Sequence, residues 1–206
     1  MSTWAGRILT HLGGVDRVAD LDVQARRVEV VGEDVPQSQE VEAVLSRGVL
    51  YVHSAPLAVV PHVEWAIARV LGSPVRLRWS VQPLDLATRR AECSWSGSPG
   101  TAAEFVTALR CWPMLRFEVT EEPGPGVDGE RFMYVPGRGI FRAAMSVTGD
   151  LMITEDQVRS ALASAGGAEG IAHALDRLLG TAWDNELEPY RHAGEGAPAT
   201  RLTRVG

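Results

Sequence analysis

The chain contains no lysine: all 20 basic residues among its 206 are arginine. That absence removes whole classes of chemistry. There is no amine for a Schiff base, no Walker A lysine for a nucleotide β/γ-phosphate, and no lysine to carry biotin or lipoate. Pyridoxal-phosphate enzymes, P-loop NTPases and lysine-borne carriers are excluded. Cysteine is nearly absent too, with only Cys93 and Cys111. Nothing marks an oxidising compartment, so the two read as small buried thiols and the expected location is cytoplasmic. No apolar run approaches the roughly 20 residues a membrane helix needs. The first fourteen residues lack the apolar core and cleavage site of a signal peptide. The net charge of −6 argues against non-specific nucleic-acid binding, which needs phosphate-neutralising cations. The expectation is therefore no nucleic-acid partner and no membrane partner.

What is present is an ordinary globular composition, 45% apolar and 22% charged. A chain of this size buries roughly two-thirds of its unfolded surface, enough for one substantial core. The first 46 residues show neither a 3.6 nor a 2 period that persists. Val28–Val31 reads as a short strand and Glu40–Leu45 as a short helix, in an extension without a stable core of its own.

From Arg47 to Glu122 the pattern reads strand, helix, strand, strand, helix, strand. The strands fall at Val49–Ser54, Val75–Val81, Arg90–Trp95 and Leu115–Thr120, and the first helix at Val60–Leu71. In strand two, Val75, Leu77, Trp79 and Val81 are expected to point inward and Arg76, Arg78 and Ser80 outward. Helix two opens at Thr101, where Thr101-Ala-Ala-Glu104 matches a capping box. This order predicts an α+β fold, a ferredoxin-like β-α-β-β-α-β sandwich. Residues 123–198 add a β-hairpin, with arms Arg131–Val135 and Ile140–Val147, and C-terminal helices of the same domain. Thr154-Glu-Asp-Gln157 is a second capping box. A last helix over about Glu169–Trp183 is expected to bury Ile171, Leu175, Leu178, Leu179 and Ala182. Residues from Pro189 read as irregular, and 199–206 as a tail.

Gly124-Pro-Gly-Val-Asp-Gly129 matches the dinucleotide fingerprint in letters only. The next segment reads as a strand rather than a helix, and Pro125 removes a backbone donor, so it reads as a turn. His53, His62 and Glu64 are the candidate catalytic residues: two imidazoles and a carboxylate near one helix start suit acid–base work or metal binding. No diagnostic spacing supports them, and an ordinary loop with a dipole-favoured Glu is the competing account. Neither a metal nor a cofactor is expected. On the outward sheet face stand Arg76, Arg78, Arg90 and Arg116, interleaved with Glu92 and Glu118. Cross-strand Arg–Glu pairs explain them if the face is solvated; otherwise they form a platform for an anionic small molecule or an acidic protein. The apolar residues of strand one suggest that the middle of this face is covered, by the hairpin or by a partner. Trp183 and Tyr190 read as aromatics tucking a chain end into the core, with a partner-binding edge as the other option.

Several strings stand together in one order: Arg47-Gly-Val-Leu-Tyr-Val-His-Ser-Ala-Pro56, Pro61-His-Val-Glu-Trp-Ala66, Leu115-Arg-Phe-Glu-Val-Thr-Glu-Glu-Pro123, Asp128-Gly-Glu-Arg131, Leu179-Gly-Thr-Ala-Trp-Asp184, Glu188-Pro189 and Gly194-Glu-Gly-Ala-Pro198. They resemble an uncharacterised actinobacterial family, domain of unknown function 3145, over about Arg47 to Pro198. The family carries no established activity, so no residue roles transfer. Its members tend to be encoded near type II fatty-acid synthesis genes, which implies an accessory role there.

The sequence thus points to a non-catalytic binding or regulatory module whose surface is Arg76, Arg78, Arg90 and Arg116, since guanidinium forks suit carboxylates and phosphates. Reversing Arg76 and Arg78 to Glu is expected to abolish binding. The alternatives are a small-molecule enzyme using His53, His62 and Glu64, or a structural subunit of a larger assembly.

Overall fold

A computed structural model describes residues 45–193 and 199–204. The strand expected at Val28–Val31, all but the last residue of the helix at Glu40–Leu45, and the Gly194–Pro198 string lie outside them. The described chain is a mixed α+β fold with five helices on a largely antiparallel sheet.

Strand β1 runs Ser46–Pro56, α1 Val60–Leu71, β2 Ser80–Gln82, β3 Asp85–Gly97, α2 Thr101–Leu109 and β4 Arg116–Glu121. The hairpin is β5 Gly129–Val135 and β6 Gly139–Met145. Then follow β7 Leu151–Met152, α3 Glu155–Ser164, α4 Ala168–Leu179, α5 Thr181–His192 and β8 Ala199–Thr203. The strands order β2-β3-β1-β4-β5-β6-β7 across the sheet, and β8 pairs β3 in parallel.

Alternation decides what each face carries. Leu50, Val52, Ala91, Cys93, Trp95, Phe117 and Val119 point to one face, where they pack against Val63, Ile67 and Leu71 of α1 and Phe105 and Leu109 of α2. Each fully buried large side chain there contributes about 1.5–3 kcal/mol. The hairpin adds Phe132 and Tyr134 to this face. Its alternate residues Met133 and Val135 point to the other, where Leu187 and Trp183 of α5 cover them together with Phe141. The hairpin therefore extends the sheet beside β4; α5, not the hairpin, is what covers the second face.

Two glycines are fixed by contact rather than by turns. A Cβ on Gly48 would overlap the Thr120 carbonyl oxygen on β4 and press on the Trp95 ring from β3. Gly180 has φ 72°, separates α4 from α5, and leaves room for the Phe141 ring, which a Cβ would approach to 2.7 Å. The single last helix expected from the sequence is thus two helices, and Leu175 and Leu179 on α4 are exposed rather than buried.

Other expectations need correction. Val75–Val81 is not one long strand. Only residues 80–82 form a ladder, and Val81 is exposed. The place along β3 that a longer strand two would fill is taken by β8, which faces Glu92 to Ser96. Residues 199–203, read as a tail, are that strand. The segment from Pro189 continues α5 to His192. Cys93 is a buried free thiol as expected, its titration pushed up to about 12 by burial, whereas Cys111 is exposed.

The capping box at Thr154 forms: its hydroxyl accepts from Gln157 N, and the Gln157 side chain accepts from Thr154 N. The one at Thr101 does not. The helix is capped at Gly100; the Thr101 hydroxyl and N both donate to Ser98 O, Glu104 N goes to Gly100 O, and a distant carboxylate takes the two other donors. Glu121 on β4 accepts Gly100 N at 2.7 Å and Ala102 N at 3.0 Å. Gly124–Gly129 is a turn closed by a Gly124–Val127 bridge, followed by a strand, as the sequence indicates. No helix among the described residues is long and apolar enough to cross a membrane.

Candidate functional site

The site begins with a defect in β1. Val52 faces Ala91 on β3 and Phe117 on β4, but the next pairs are Ala55 with Arg89 and Ser54 with Arg116. His53 is therefore the extra residue of a bulge in both ladders. Bulges re-aim a side chain. Here His53 stays on the α5 side of the sheet, its ring stacked 5.9 Å from Tyr51. The register of Tyr51 and Val52 on both neighbours brings His53 level with Arg90 on β3 and Arg116 on β4, and the bulge shifts only the residues that follow.

One step along β4, Glu118 is 5% exposed and fully engaged. Its Oε1 lies 2.6 Å from His53 Nε2 and accepts Arg191 Nε at 2.7 Å. Its Oε2 accepts Nη2 of Arg131 at 2.8 Å and of Arg191 at 2.9 Å. Asp184, on the first turn of α5, accepts from the same two arginines. Burial alone would raise Glu118, but the hydrogen bonds from His53 and Arg191 outweigh it and hold the carboxyl far below its ordinary range. Burial opposes the charge on Arg191, and the Glu118 carboxylate overrides it. Glu118 is thus an ionised, acceptor-only group, so His53 Nε2 must carry a proton.

Beside this cluster the second face opens as a cleft of about 570 Å³. Tyr51, His53, Arg90, Glu92, Thr120, Arg131, Met145 and Arg191 are among the residues lining it. Five buried side-chain nitrogens or oxygens among the described residues lack a hydrogen-bond partner. Three of them, Arg90 Nε, His53 Nδ1 and Arg116 Nε, come from the single row that crosses the bulge. Orphaned buried polar atoms cost about 1–3 kcal/mol each, so a cluster of them calls for a reason. Arg90 is only 6% exposed. Burial lowers its guanidinium titration, with Glu92 pulling the other way, yet arginine stays charged in proteins. Burial first, then Glu92 and Glu118, raise the Tyr51 phenol, which remains an O–H group facing the cleft.

The candidate residues read from the sequence divide. Arg90 and Arg116 share the predicted face. Arg116 lies under Tyr190 of α5, with the guanidinium 4.9 Å from the ring centre. Arg76 and Arg78 do not belong to the sheet. They sit on the extended stretch before β2, where Arg76 turns to Glu64 with its side chain 91% exposed, and Arg78 N donates to Thr200 Oγ1. His53, His62 and Glu64 do not come together. Glu64 is buried on α1 and clamps the stretch before β2, accepting Leu77 N at 2.9 Å, Trp79 Nε1 at 3.1 Å and Arg76 Nη1 at 3.0 Å. The His62 ring faces Trp112, 6.4 Å away. Among the described residues no three His, Cys, Asp or Glu side chains gather as a metal would require. Trp183 and Tyr190 do pack inward: Trp183 Nε1 donates to Gly139 O.

Sequence reasoning missed Glu118, Arg131, Asp184 and Arg191 as one cluster. Glu118 and Arg131 occupy alternating strand positions on one face, which is a legible signal. The bulge at His53 has none, because no glycine or proline marks it. No curated protein and no solved structure matches the chain. Residues 49–204 match the family model described as "Protein of unknown function (DUF3145)", and the chain belongs to that family.

Proposed function

We propose that this domain is a non-catalytic binding module for a small anion, a carboxylate or a phosphate, held in the cleft between the sheet and α5 with Arg90 as anchor. One observation carries the reading. Arg90 is a buried cation on the cleft with an unpartnered Nε, whereas the neighbouring Arg131 and Arg191 are each paired with Glu118 and Asp184. A buried guanidinium without an acceptor is stabilised by an incoming oxyanion. Its depth favours a small ligand over an acidic protein surface, which meets exposed arginines more readily than buried ones. A cytoplasmic location and an accessory role in fatty-acid synthesis are compatible with such a module. The ferredoxin-like reading of residues 47–122 rests on the strand order β2-β3-β1-β4, with α1 and α2 on one face.

Isothermal titration with inorganic phosphate and with acetate tests this. Arg90→Gln is expected to weaken the better ligand by about tenfold or more, the scale of one charged hydrogen bond. Arg76→Glu with Arg78→Glu should leave affinity unchanged, because both side chains stand off the cleft. Equal affinity for wild type and Arg90→Gln would sink the reading.

A further inference from the structure

We infer that the cleft selects carboxylates bearing a hydroxyl group on the neighbouring carbon: the carboxylate bonds to Arg90, and the hydroxyl donates its proton to His53 Nδ1. This rests on the anion-binding reading and names its ligand class.

His53 Nδ1 and Arg90 Nε have opposite hydrogen-bonding needs. His53 Nε2 is committed as a donor to Glu118, which can only accept. In the neutral imidazole the two nitrogens divide the roles, so Nδ1 is then a bare lone pair. That lone pair is buried and has no partner. Arg90 Nε has the opposite need, an N–H without an acceptor. The antiparallel register of β1 and β3 puts the two side chains at one level of adjacent strands, and both line the cleft. A plain carboxylate satisfies Arg90 and leaves Nδ1 empty. An amine donor alone does the reverse and places a second cation beside Arg90. A 2-hydroxycarboxylate offers an acceptor and a neutral donor on adjacent atoms, and so fills both. Sites built to bond a ligand hydroxyl discriminate strongly against the analogue lacking it, because the protein's polar group is left unpaired. Tyr51 and Met145 supply apolar wall for the rest of the molecule. Arg116, the third orphan of the row, lies under Tyr190 and does not line the cleft, so it takes no part.

The test uses the full chain at neutral pH with two acids that differ by one hydroxyl, phenyllactate and phenylpropionate. Calorimetry is expected to give phenyllactate an advantage of about tenfold or more. Long-range proton–nitrogen spectra are expected to show an unprotonated Nδ1 on His53 in the free protein, shifted by phenyllactate but not by phenylpropionate. His53→Gln should bind both acids alike, and Arg90→Gln should weaken both. Because buried His53 also serves the fold, the wild-type comparison of the two acids stands as decisive without any variant. Equal wild-type affinities, or an Nδ1 already protonated in the free protein, overturn the hydroxyl selection and leave anion binding intact. Absence of binding by either acid, or an Arg90→Gln protein that binds like wild type, overturns both.

Discussion

His53 Nε2 and Glu118 Oε1 stand 2.6 Å apart, joining the bulge of β1 to the middle of β4. The same carboxylate holds Arg191 of α5 and Arg131 of β5, so one side chain binds three strands and a helix. Removing a buried charge from such a cluster leaves its partners uncompensated. Glu118→Gln is expected to cost about 3 kcal/mol by urea denaturation, the low end for a broken buried pair because both arginines are partly exposed. The pH dependence follows from the direction of the shift. The folded-state titration of Glu118 is depressed, so its stabilisation is fully present above the unfolded value, about 4.3, and is lost as pH falls from there toward the folded value. The urea midpoint of the wild type should drop through that window more steeply than that of Glu118→Gln. Parallel curves would refute the assignment.

Glu121 caps α2 across the fold. Its carboxylate accepts Gly100 N and Ala102 N, at the positive end of the helix macrodipole. Glu121→Ala should lower stability by about 1–2 kcal/mol, as the loss of a good cap does, and Thr101→Val should lose less at the helix terminus. Amide hydrogen exchange at residues 100–104 reads the local effect. Unchanged protection there in Glu121→Ala would show that the cap contributes nothing.

Gly48 lies where β1 passes tightly between β3 and β4. A methyl group there overlaps the Thr120 carbonyl, a backbone atom that cannot turn aside. Gly48→Ala is expected to cost about 3 kcal/mol in chemical denaturation, the upper range for overpacking. A loss under roughly 1 kcal/mol would mean that the sheet relaxes freely at this point.

Helix α1 and strand β4 were legible because their apolar residues repeat at the right period and local chemistry agrees: Pro61 lies in the first turn of α1, and Gly72, with φ 68°, ends it. Strand two misled because its alternation of Val75, Leu77 and Trp79 is real but serves another end. Leu77 and Trp79 are clamped by Glu64 from α1, leaving the β3 ladder to β8. The Thr101 box failed because the helix is capped one residue earlier, at Gly100, and the donors the box would use, Thr101 N and Glu104 N, go to Ser98 O and Gly100 O. In the site, Arg90, Arg116 and His53 were visible as residues. Their convergence was not, because it depends on the register of β1 with two neighbours and on α5 arriving with Arg191 from 73 positions beyond Glu118.

The parallel pairing of β8 with β3 joins Ser96 to Thr203 across 107 positions. A nascent chain emerging from the ribosome therefore presents the outer rim of β3 long before its companion has been synthesised. Bare rims of this kind invite intermolecular pairing. Sealing that border requires residues 199–203, so clipping ahead of residue 199 would convert it into an adhesive one.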